Sequence, residues 1–280
     1  MRYHVIIVGA GHAGCEAAVS LAKRNIQTVL ITGNLKNMAS LPCNPSIGGP
    51  AKGILVREID ALGGIMGTMA DKCQIQIKML NSGNGEAVRA LRAQIDKQYY
   101  PRLMKRKLKK YKCLTLLEGL VDKLTIVNGE VRGVVLADGT NIDSKYVLLS
   151  TGTYLNSRCL TGNEEKISGP DNEPTTFGLS EQLKELGFEV IRLKTGTPPR
   201  ILTKSIDFSK AEIQPGDKKI DYFSHYAWKG FGRGNLPCYL TRTNELTHQV
   251  ILENLDKSAM YGGLINGKGP RYCPSIEDKV

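Results

Sequence analysis

His4-Val-Ile-Ile-Val8 is a short apolar run that leads directly into Gly9-Ala-Gly11-His-Ala-Gly14. An Ala-rich helical pattern follows over residues 15–24, and a second apolar run over residues 28–32 completes a β-α-β unit of about 30 residues. In this pattern the first glycine permits a tight turn, the second lets the backbone approach a pyrophosphate, and the third lets helix and strand pack closely. The stretch therefore predicts a doubly wound parallel sheet that binds a dinucleotide.

Two hairpin signals later in the chain extend this unit. Asn128-Gly129 and Asp138-Gly139 are each flanked by β-rich segments, and they predict a three-stranded meander over about residues 114–145. A buried-strand pattern returns over residues 146–149 and ends in the small-residue turn Ser150-Thr-Gly-Thr153. A meander in this position favours a flavin-binding protein over a simple dehydrogenase.

Helical and extended patterns are predicted in four further segments. Residues 50–62 carry a helical pattern that ends at a pair of glycines. Residues 86–111 read as a long charged helix, which Pro101 is expected to kink or to divide in two. A helix over about residues 179–186 and a strand over residues 189–193 follow, after which the periodicity weakens and an inserted domain is expected.

The composition limits the class of protein. The 280 residues carry a formal net charge of +11 and are 41% apolar, which suits about two domains with a substantial core. There is no run of ~18 apolar residues and no charged leader, so we expect a cytoplasmic protein that does not span a membrane. Seven scattered cysteines without a C-x-x-C pair fit a reducing compartment. The positive charge favours an anionic partner, most simply nucleic acid.

Two cysteines and one basic segment are further candidate functional residues. Cys43 lies in a proline-containing loop ahead of a helix, where a thiol is acidified and nucleophilic; a buried structural thiol is the alternative. Cys273 follows Lys268 and Arg271, which favour its thiolate. The cations over residues 102–112 mark an amphipathic helix whose charged face either meets phosphates or is solvated, and solvation is the commoner case.

Three segments together resemble one family. They are Cys43-Asn-Pro-Ser-Ile-Gly-Gly49 with residues 52–64, Lys194-Thr-Gly-Thr-Pro-Pro-Arg200, and Gly269-Pro-Arg-Tyr-Cys-Pro-Ser-Ile-Glu-Asp-Lys279. They closely resemble the MnmG (GidA) family, the flavoenzymes of tRNA wobble-uridine modification. The resemblance implies an α/β fold: a glutathione-reductase-like (Rossmann-type) FAD-binding domain with a β-meander over residues 1–200, an inserted α+β domain over 201–270, and a return into the FAD- and NAD-linked segment over 271–280.

The resemblance also implies an activity and a set of partners. Members place an aminomethyl or carboxymethylaminomethyl group on C5 of the wobble uridine, with FAD, NADH and methylene-tetrahydrofolate as cofactors. They act with an MnmE-type GTPase, as a homodimer within a heterotetramer. The cofactor-binding residues expected from the glycine pattern and the resemblance together are Gly9, Ala10, Gly11, His12, Ala13, Gly14, Asn34, Val121, Thr176, Gly269, Pro270, Arg271 and Tyr272.

Cys43 and Cys273 match the two functional cysteines of the family. Uracil C5 is a poor nucleophile, and a thiolate that adds to C6 makes it reactive towards a one-carbon electrophile. We expect Cys273 to be the nucleophile and Cys43 to assist proton transfer. The alternatives are a folate- and FAD-dependent tRNA uridine methyltransferase relative, a generic FAD or NAD oxidoreductase, and an inactive nucleotide-binding module.

The chain departs from the expected patterns at several points. Asn34 stands where an Asp or Glu at the end of the second strand usually binds the ribose. Residues 83–89 read Gly-Asn-Gly-Glu-Ala-Val-Arg, which loses a family lysine and gains Glu86, and Pro170 replaces a family arginine. Family members are also longer, so we expect a fragment that alone binds FAD poorly and modifies nothing.

Overall fold

The computed structural model describes residues 3–226, 234–265 and 275–280. Its strands are β1 (Tyr3–Val8), β2 (Thr28–Thr32), β3 (Ser46–Gly48), β4 (Gln74–Leu80), β5 (Ala90–Ile95), β6 (Leu114–Glu118), β7 (Val121–Val127), β8 (Glu130–Leu136), β9 (Asn141–Leu149), β10 (Cys159–Thr161), β11 (Glu164–Lys166), β12 (Glu212–Gln214) and β13 (Cys238–Leu240). Its α-helices are α1 (His12–Lys23), α2 (Lys52–Ala61), α3 (Met66–Cys73), α4 (Tyr99–Leu108), α5 (Gly178–Glu185) and α6 (Glu245–Leu252).

The largest sheet has six strands in the order β6-β2-β1-β9-β8-β7. The first four are parallel neighbours, with Ile6 of β1 opposite Val29 of β2 and Val147 of β9. Ile6, Ile7 and Leu30 are fully buried, as expected for parallel strands that are covered on both faces. The β-α-β unit predicted from the glycine stretch is therefore present, and its glycine turn lies at the carboxyl end of the central strand.

The predicted meander is present but begins later than expected. Its strands are β7, β8 and β9, and its two turns lie at Asn128-Gly129 and at residues 137–140, with left-handed backbone at Asn128, Gly129 and Gly139. β6 had been assigned to the meander, yet it pairs in parallel with β2. β9 belongs to both parts: residues 141–143 pair with β8, and residues from Ser144 onward pair with β1.

The predicted long helix over residues 86–111 is wrong in its first half. Residues 86–88 form a single short turn of 3₁₀-helix, and Ala90–Ile95 forms β5, the middle strand of a sheet with order β3-β5-β4. Leu91, Ala93 and Ile95 are buried at alternate positions, a period-two pattern that the charged neighbours obscure. α4 begins at Tyr99 with Pro101 in its first turn, the position where a missing N–H costs no hydrogen bond.

The main core lies between the parallel sheet and the helices α1, α3 and α4. Ala18 and Val19 of α1, Ala70 of α3 and Met104 of α4 belong to one cluster of buried side chains. α2 forms where it was predicted, but only part of its apolar face is buried. Val56 is buried, whereas Leu62, just after the end of the helix, is 90% exposed.

The chain divides into two compact units. The first comprises residues 1–41, 45–152 and 214–238, and the second comprises 42–44, 153–213 and 239–280. The second unit contains the β10-β11 hairpin, α5 near its predicted place, and α6. The strand predicted over residues 189–193 does not form, and Ile191 is 66% exposed there; a β pattern becomes a strand only where a partner edge is available. Over the described ranges, no helix has the length and apolar character needed to span a bilayer.

Candidate functional site

At two positions of the glycine turn, neighbouring backbone lies too close to leave room for a side chain. Gly9 has φ +100°, a left-handed conformation that glycine adopts without strain, and a Cβ there would overlap the carbonyl oxygen of Ser150. A Cβ on Gly14 would overlap the carbonyl oxygen of Gly9. A Cβ on Gly11, in contrast, would meet nothing within 4 Å. Gly9 and Gly14 thus allow close packing of the backbone, whereas Gly11 borders open space at the surface of the turn.

The residues of this turn fit a dinucleotide pyrophosphate. Gly11 is the N-cap of α1, and no side chain caps this end of the helix. The N–H groups of a first helical turn have no partner within the helix and carry the positive end of its dipole. Because open space lies beside Gly11, an anion can approach these groups as closely as backbone allows.

His12 is the first residue of α1, and its ring packs against Tyr100 of α4. Burial lowers the pKa of His12, and its ring stacks on the Tyr100 ring with centroids 5.7 Å apart. The Nε2 atom of His12 and the hydroxyl of Tyr100 are both buried without a hydrogen-bond partner in the described part of the chain. Of its neighbours, Ala10 is buried and accepts a hydrogen bond from the Ala39 N–H at 2.8 Å.

A carboxylate that sequence reasoning missed lies beside the end of β2. Glu118 ends the adjacent parallel strand β6, and its Oε2 accepts the N–H of Leu35 at 2.8 Å. Asn34 precedes Leu35 and accepts the N–H of Lys36 through Oδ1, also at 2.8 Å. A carboxylate therefore lies beside the end of β2, although β2 itself does not carry one. No local signal could have found it, because the pairing of β6 with β2 had not been foreseen.

Cys43 lies in the second unit and is fixed by two residues of the segment 194–200. Its Sγ donates a hydrogen bond to the carbonyl oxygen of Gly196 at 3.1 Å. The Arg200 guanidinium donates to the carbonyl oxygen of Pro42 at 3.0 Å and also to that of Cys43. The thiol is half-buried. Along the chain, the strand β3 intervenes between Cys43 and α2, so the loop does not lead straight into the helix as expected.

Comparison with known proteins identifies the family. Residues 4–280 match the family described as Glucose inhibited division protein A. The chain belongs to this family. Among curated relatives it is 62% identical over 280 residues to "tRNA uridine 5-carboxymethylaminomethyl modification enzyme MnmG" of Onion yellows phytoplasma (strain OY-M), covering 100% of this chain and 45% of that protein. It is 53% identical over 279 residues to the protein of that name from Bacillus subtilis (strain 168), covering 100% of this chain and 44% of that one.

Solved structures agree with this assignment to the glucose inhibited division protein A family. Aquifex aeolicus GidA in its form I crystal matches with a TM-score of 0.92 and 42% identity, over 100% of this chain and 47% of that chain. The GidA-related protein from Thermus thermophilus matches at a TM-score of 0.51 and 23% identity, over 68% of this chain and 71% of that one, a likeness of fold alone. This chain spans a little under half the length of the MnmG relatives it matches. The resemblance drawn from the three motifs is confirmed.

Two of the three family motifs meet in the structure, and the third lies mainly outside the described residues. The Cys43 loop contacts Gly196 and Arg200 of the second motif. Of the third motif, Gly269, Pro270, Arg271, Tyr272 and Cys273 fall in the range 266–274, which is not described. Val121 is buried at the start of β7 in the first unit, and Thr176 pairs with Leu155 in an isolated bridge of the second.

The other described cysteines occupy packed positions. Cys15 is fully buried, and burial together with the nearby Glu16 carboxylate raises its pKa to about 12. Cys73 and Cys113 are buried as well. Cys238 is half-buried and donates to the side-chain oxygen of Gln76 at 3.3 Å. A thiol with a raised pKa, such as that of Cys15, is a poor nucleophile because the thiolate is the reactive form.

One departure from the family pattern has a visible consequence. Glu86, gained in residues 83–89, lies 3.3 Å from the guanidinium of Arg89 in an exposed ion pair. The departure therefore removes one cation and partly neutralises a second. An exposed pair of this kind adds little stability, so its main effect is on the local charge.

Proposed function

We propose that this chain forms the dinucleotide-binding part of a flavoenzyme that modifies C5 of the tRNA wobble uridine. The carrying observation is the glycine turn open at Gly11, in a chain that is 62% identical over its whole length to a protein named MnmG. The finer fold we propose is glutathione-reductase-like, which the parallel order β6-β2-β1 and the β7–β9 ribbon support. In domain terms we propose an FAD-binding domain over 1–200, an inserted domain over 201–270 and a return into the first over 271–280.

The residues of the glycine turn would hold the FAD pyrophosphate. Residues 9–14 contribute close-packed backbone and the uncapped N-terminus of α1. Asn34 and Glu118 would contact the adenosine ribose, since a carboxylate accepts hydrogen bonds from its hydroxyl groups. Val121, Thr176 and residues 269–272 complete the proposed cofactor contacts. When bound, the flavin supplies redox and one-carbon chemistry, and the protein orients it.

The two cysteines would act on the base. A thiolate at Cys273 would add to C6 of uracil and make C5 nucleophilic. Cys43 would hold and move a proton, a role supported by its Sγ, which donates a hydrogen bond to Gly196. The Arg200 guanidinium would keep the Cys43 backbone in place, because it binds two successive carbonyl oxygens. The product would be an aminomethyl or carboxymethylaminomethyl uridine.

The same proposal includes the partners of the activity. NADH and methylene-tetrahydrofolate would be the reductant and the carbon donor, and tRNA the substrate. An MnmE-type GTPase would be the partner of a homodimer in a heterotetramer, acting in the cytoplasm. The net charge of +11 supports an anionic substrate.

The test is complementation of a bacterial strain that lacks its own MnmG gene, using the full natural chain. We expect mass spectrometry of digested tRNA to show the modified wobble uridine with wild-type protein and its loss with Cys273→Ser or Cys43→Ser. The purified protein is expected to show flavin absorbance. Normal modification with both serine variants would refute the proposed roles of the cysteines. A colourless protein that restores nothing would favour a nucleotide-binding module without this activity.

A further inference from the structure

A basic cleft in the first unit is formed by three helices, away from the glycine turn. Its volume is about 400 Å³, and its walls include Lys23 of α1, Lys72 of α3 and Arg106 and Lys107 of α4, with Lys110 just beyond the end of α4. Among the residues that the structure describes, the lining of the cleft includes no Asp or Glu. The three cations that α4 and its end contribute, Arg106, Lys107 and Lys110, therefore have no carboxylate beside them in this part of the wall.

The partial negative charge at the carboxyl end of a helix is too small to balance these cations. The cations lie near the carboxyl ends of their helices, where they offset partial charges of about −0.5 each. The carboxyl end of α4 amounts to about −0.5, against the three full positive charges of Arg106, Lys107 and Lys110. Within the ranges that the structure describes, Arg106, Lys107 and Lys110 form no ion pair. The half-buried carboxylate of Glu16 accepts the N–H groups of Ile65 and Met66 and interacts electrostatically with Lys23, so it offsets that one cation. A net positive potential remains in the cleft.

An aromatic side chain completes the wall. Tyr226 lines the cleft and is 78% exposed, a large fraction for an aromatic ring in a cavity. Its backbone is fixed, because its N–H donates to Ser224 Oγ at 3.1 Å, and that hydroxyl bonds to Thr68 Oγ1 at 3.1 Å. Thr68 lies in α3 and is itself part of the wall.

Two buried carboxylates hold the segment that presents Tyr226. Asp71 accepts the backbone N–H groups of Phe223 and Ser224, each at 2.9 Å. Asp60 accepts the N–H of His225 at 3.0 Å. Because three successive N–H groups are bonded to side chains of α2 and α3, the backbone that carries Tyr226 is held in place before any ligand arrives. The exposed ring is thus presented from a fixed segment of backbone.

We propose that this basic cleft binds a single-stranded segment of RNA, with phosphates on the α4 cations and an unpaired base stacked on Tyr226. This inference rests on the proposed function for its ligand, a tRNA. Cations combined with an exposed aromatic ring are the pattern by which proteins hold single-stranded nucleic acid. A volume of about 400 Å³ lies in the range of small-ligand sites, so it suits one nucleotide. A flat lipid surface would not fill a cleft.

The cleft is distinct from the dinucleotide site. Lys23 ends α1, whereas Gly11 caps its start, and a helix of 12 residues is about 18 Å long. A tRNA held at the cleft would therefore be anchored at a distance from the flavin. Such an anchor would contribute affinity without taking part in the chemistry.

The test measures RNA binding by fluorescence anisotropy over a range of salt concentrations, with the full natural chain. The probes are an RNA stem-loop with unpaired nucleotides and a blunt RNA duplex with the same number of phosphates. For Lys107→Ala/Lys110→Ala we expect the slope of log K against log salt to fall in magnitude by about 1.4 with the stem-loop. The matched control is Lys123→Ala/Lys145→Ala, which removes two exposed cations from the β7–β9 ribbon and is expected to leave the slope unchanged.

Variants at Tyr226 measure the contribution of base stacking to RNA binding separately from that of the cations. We expect Tyr226→Ala to weaken stem-loop binding ~5- to 100-fold and to leave duplex binding unchanged, whereas Tyr226→Phe keeps the wild-type affinity. Flavin absorbance is expected to be unchanged in every cleft variant, which also reports that they fold.

Three results would overturn the proposal. If wild-type protein and the cleft variants bind the stem-loop equally well, RNA binding by the cleft is refuted and the proposed function stands. If the variants lose binding to anionic lipid vesicles and not to RNA, the ligand class is wrong. If wild-type protein binds no tRNA or stem-loop at any salt concentration, the cleft and the proposed tRNA substrate fail together.

Discussion

The side-chain oxygen of Ser150 lies 2.9 Å from the carbonyl oxygen of Gly9 and 3.0 Å from that of Val8. Ser150 follows the end of β9, so its hydroxyl joins the neighbouring parallel strand to the glycine turn. We expect Ser150→Ala to lower the free energy of unfolding by about 1 kcal/mol, the usual contribution of one such hydrogen bond. Urea denaturation would measure this. The comparison is Ser157→Ala, which removes a hydroxyl that donates one hydrogen bond to a carbonyl oxygen of the second unit and should lower the free energy of unfolding by a similar amount. A Ser150→Ala protein with an unchanged urea midpoint would contradict the role given to the Ser150 hydroxyl.

Substitutions at Gly11 and Gly14 distinguish an effect on flavin binding from an effect on backbone packing. Gly14→Ala places a methyl group against the carbonyl oxygen of Gly9, which is backbone and cannot turn away, so we expect a loss of about 1–3 kcal/mol of stability. Gly11→Ala meets open space and changes only the N-cap of α1, so we expect a smaller loss of thermal stability than for Gly14→Ala, and weaker flavin binding. Thermal melts of the full natural chain with and without FAD would test both. Equal effects of the two substitutions on the flavin-free protein would argue against this division of roles.

Glu118 offers a test of the proposed ribose contact. Glu118→Gln keeps an oxygen that can accept the Leu35 N–H but removes the charge. Hydrogen bonds to a charged group exceed neutral ones by about 1 kcal/mol, so we expect FAD affinity to fall about fivefold with little change in melting temperature. Flavin fluorescence titration would measure it. Glu130→Gln, in the β7–β8 hairpin, provides a control in which the affinity should not change.

Arg200 is expected to control the accessibility of Cys43. Arg200→Ala removes the donors to the Pro42 and Cys43 carbonyl oxygens, and Arg200→Lys restores the charge without the fork that reaches both. We expect faster alkylation of Cys43 by iodoacetamide in both variants, more so in the alanine variant. Peptide mass spectrometry would follow the rate, with buried Cys15 as an internal reference. Unchanged kinetics at Cys43 would show that the guanidinium does not hold the loop.

Asp71 predicts a pH dependence of stability. Burial raises its pKa to about 6, above the ordinary value of 3.8, although the Phe223 and Ser224 N–H groups oppose the shift. The native state therefore keeps this proton to a higher pH than the unfolded state. Its contribution is complete below about pH 4 and is lost as the pH rises through about 6, by up to ~3 kcal/mol.

The measurement for Asp71 is urea denaturation at several pH values between 4 and 7. Asp71→Asn should flatten the fall in stability across this window relative to wild type. Asp143→Asn, an exposed carboxylate of β9, should leave the fall as it is. A wild-type protein whose stability does not fall between pH 4 and pH 7 relative to the Asp71→Asn variant would refute the shift.

The parts of the fold that were predictable are those determined by neighbours in sequence. The glycine turn follows from steric limits at Gly9 and Gly14, and the hairpin at Asn128-Gly129 follows from its left-handed residues. β5 was missed because its alternation of Leu91 and Ala93 is short and lies among charges. A strand of this kind is defined by its neighbours β3 and β4, which local patterns do not reveal.

The candidate site shows the same limit more strongly. The contact of Arg200 with the Cys43 loop joins residues 157 positions apart, and that of Glu118 with Leu35 joins residues 83 positions apart. Neither side chain belongs to a spacing pattern. The cations of α4 were visible in the sequence, but Lys23 and Lys72 reach the same cleft only because three helices pack together.

β9 passes without a break from the antiparallel ribbon into the parallel sheet and delivers Ser150 to the glycine turn. A single extended segment of this length cannot bend at its midpoint without breaking pairs on one side or the other. The ribbon and the glycine turn should therefore open together, as one cooperative element in hydrogen exchange.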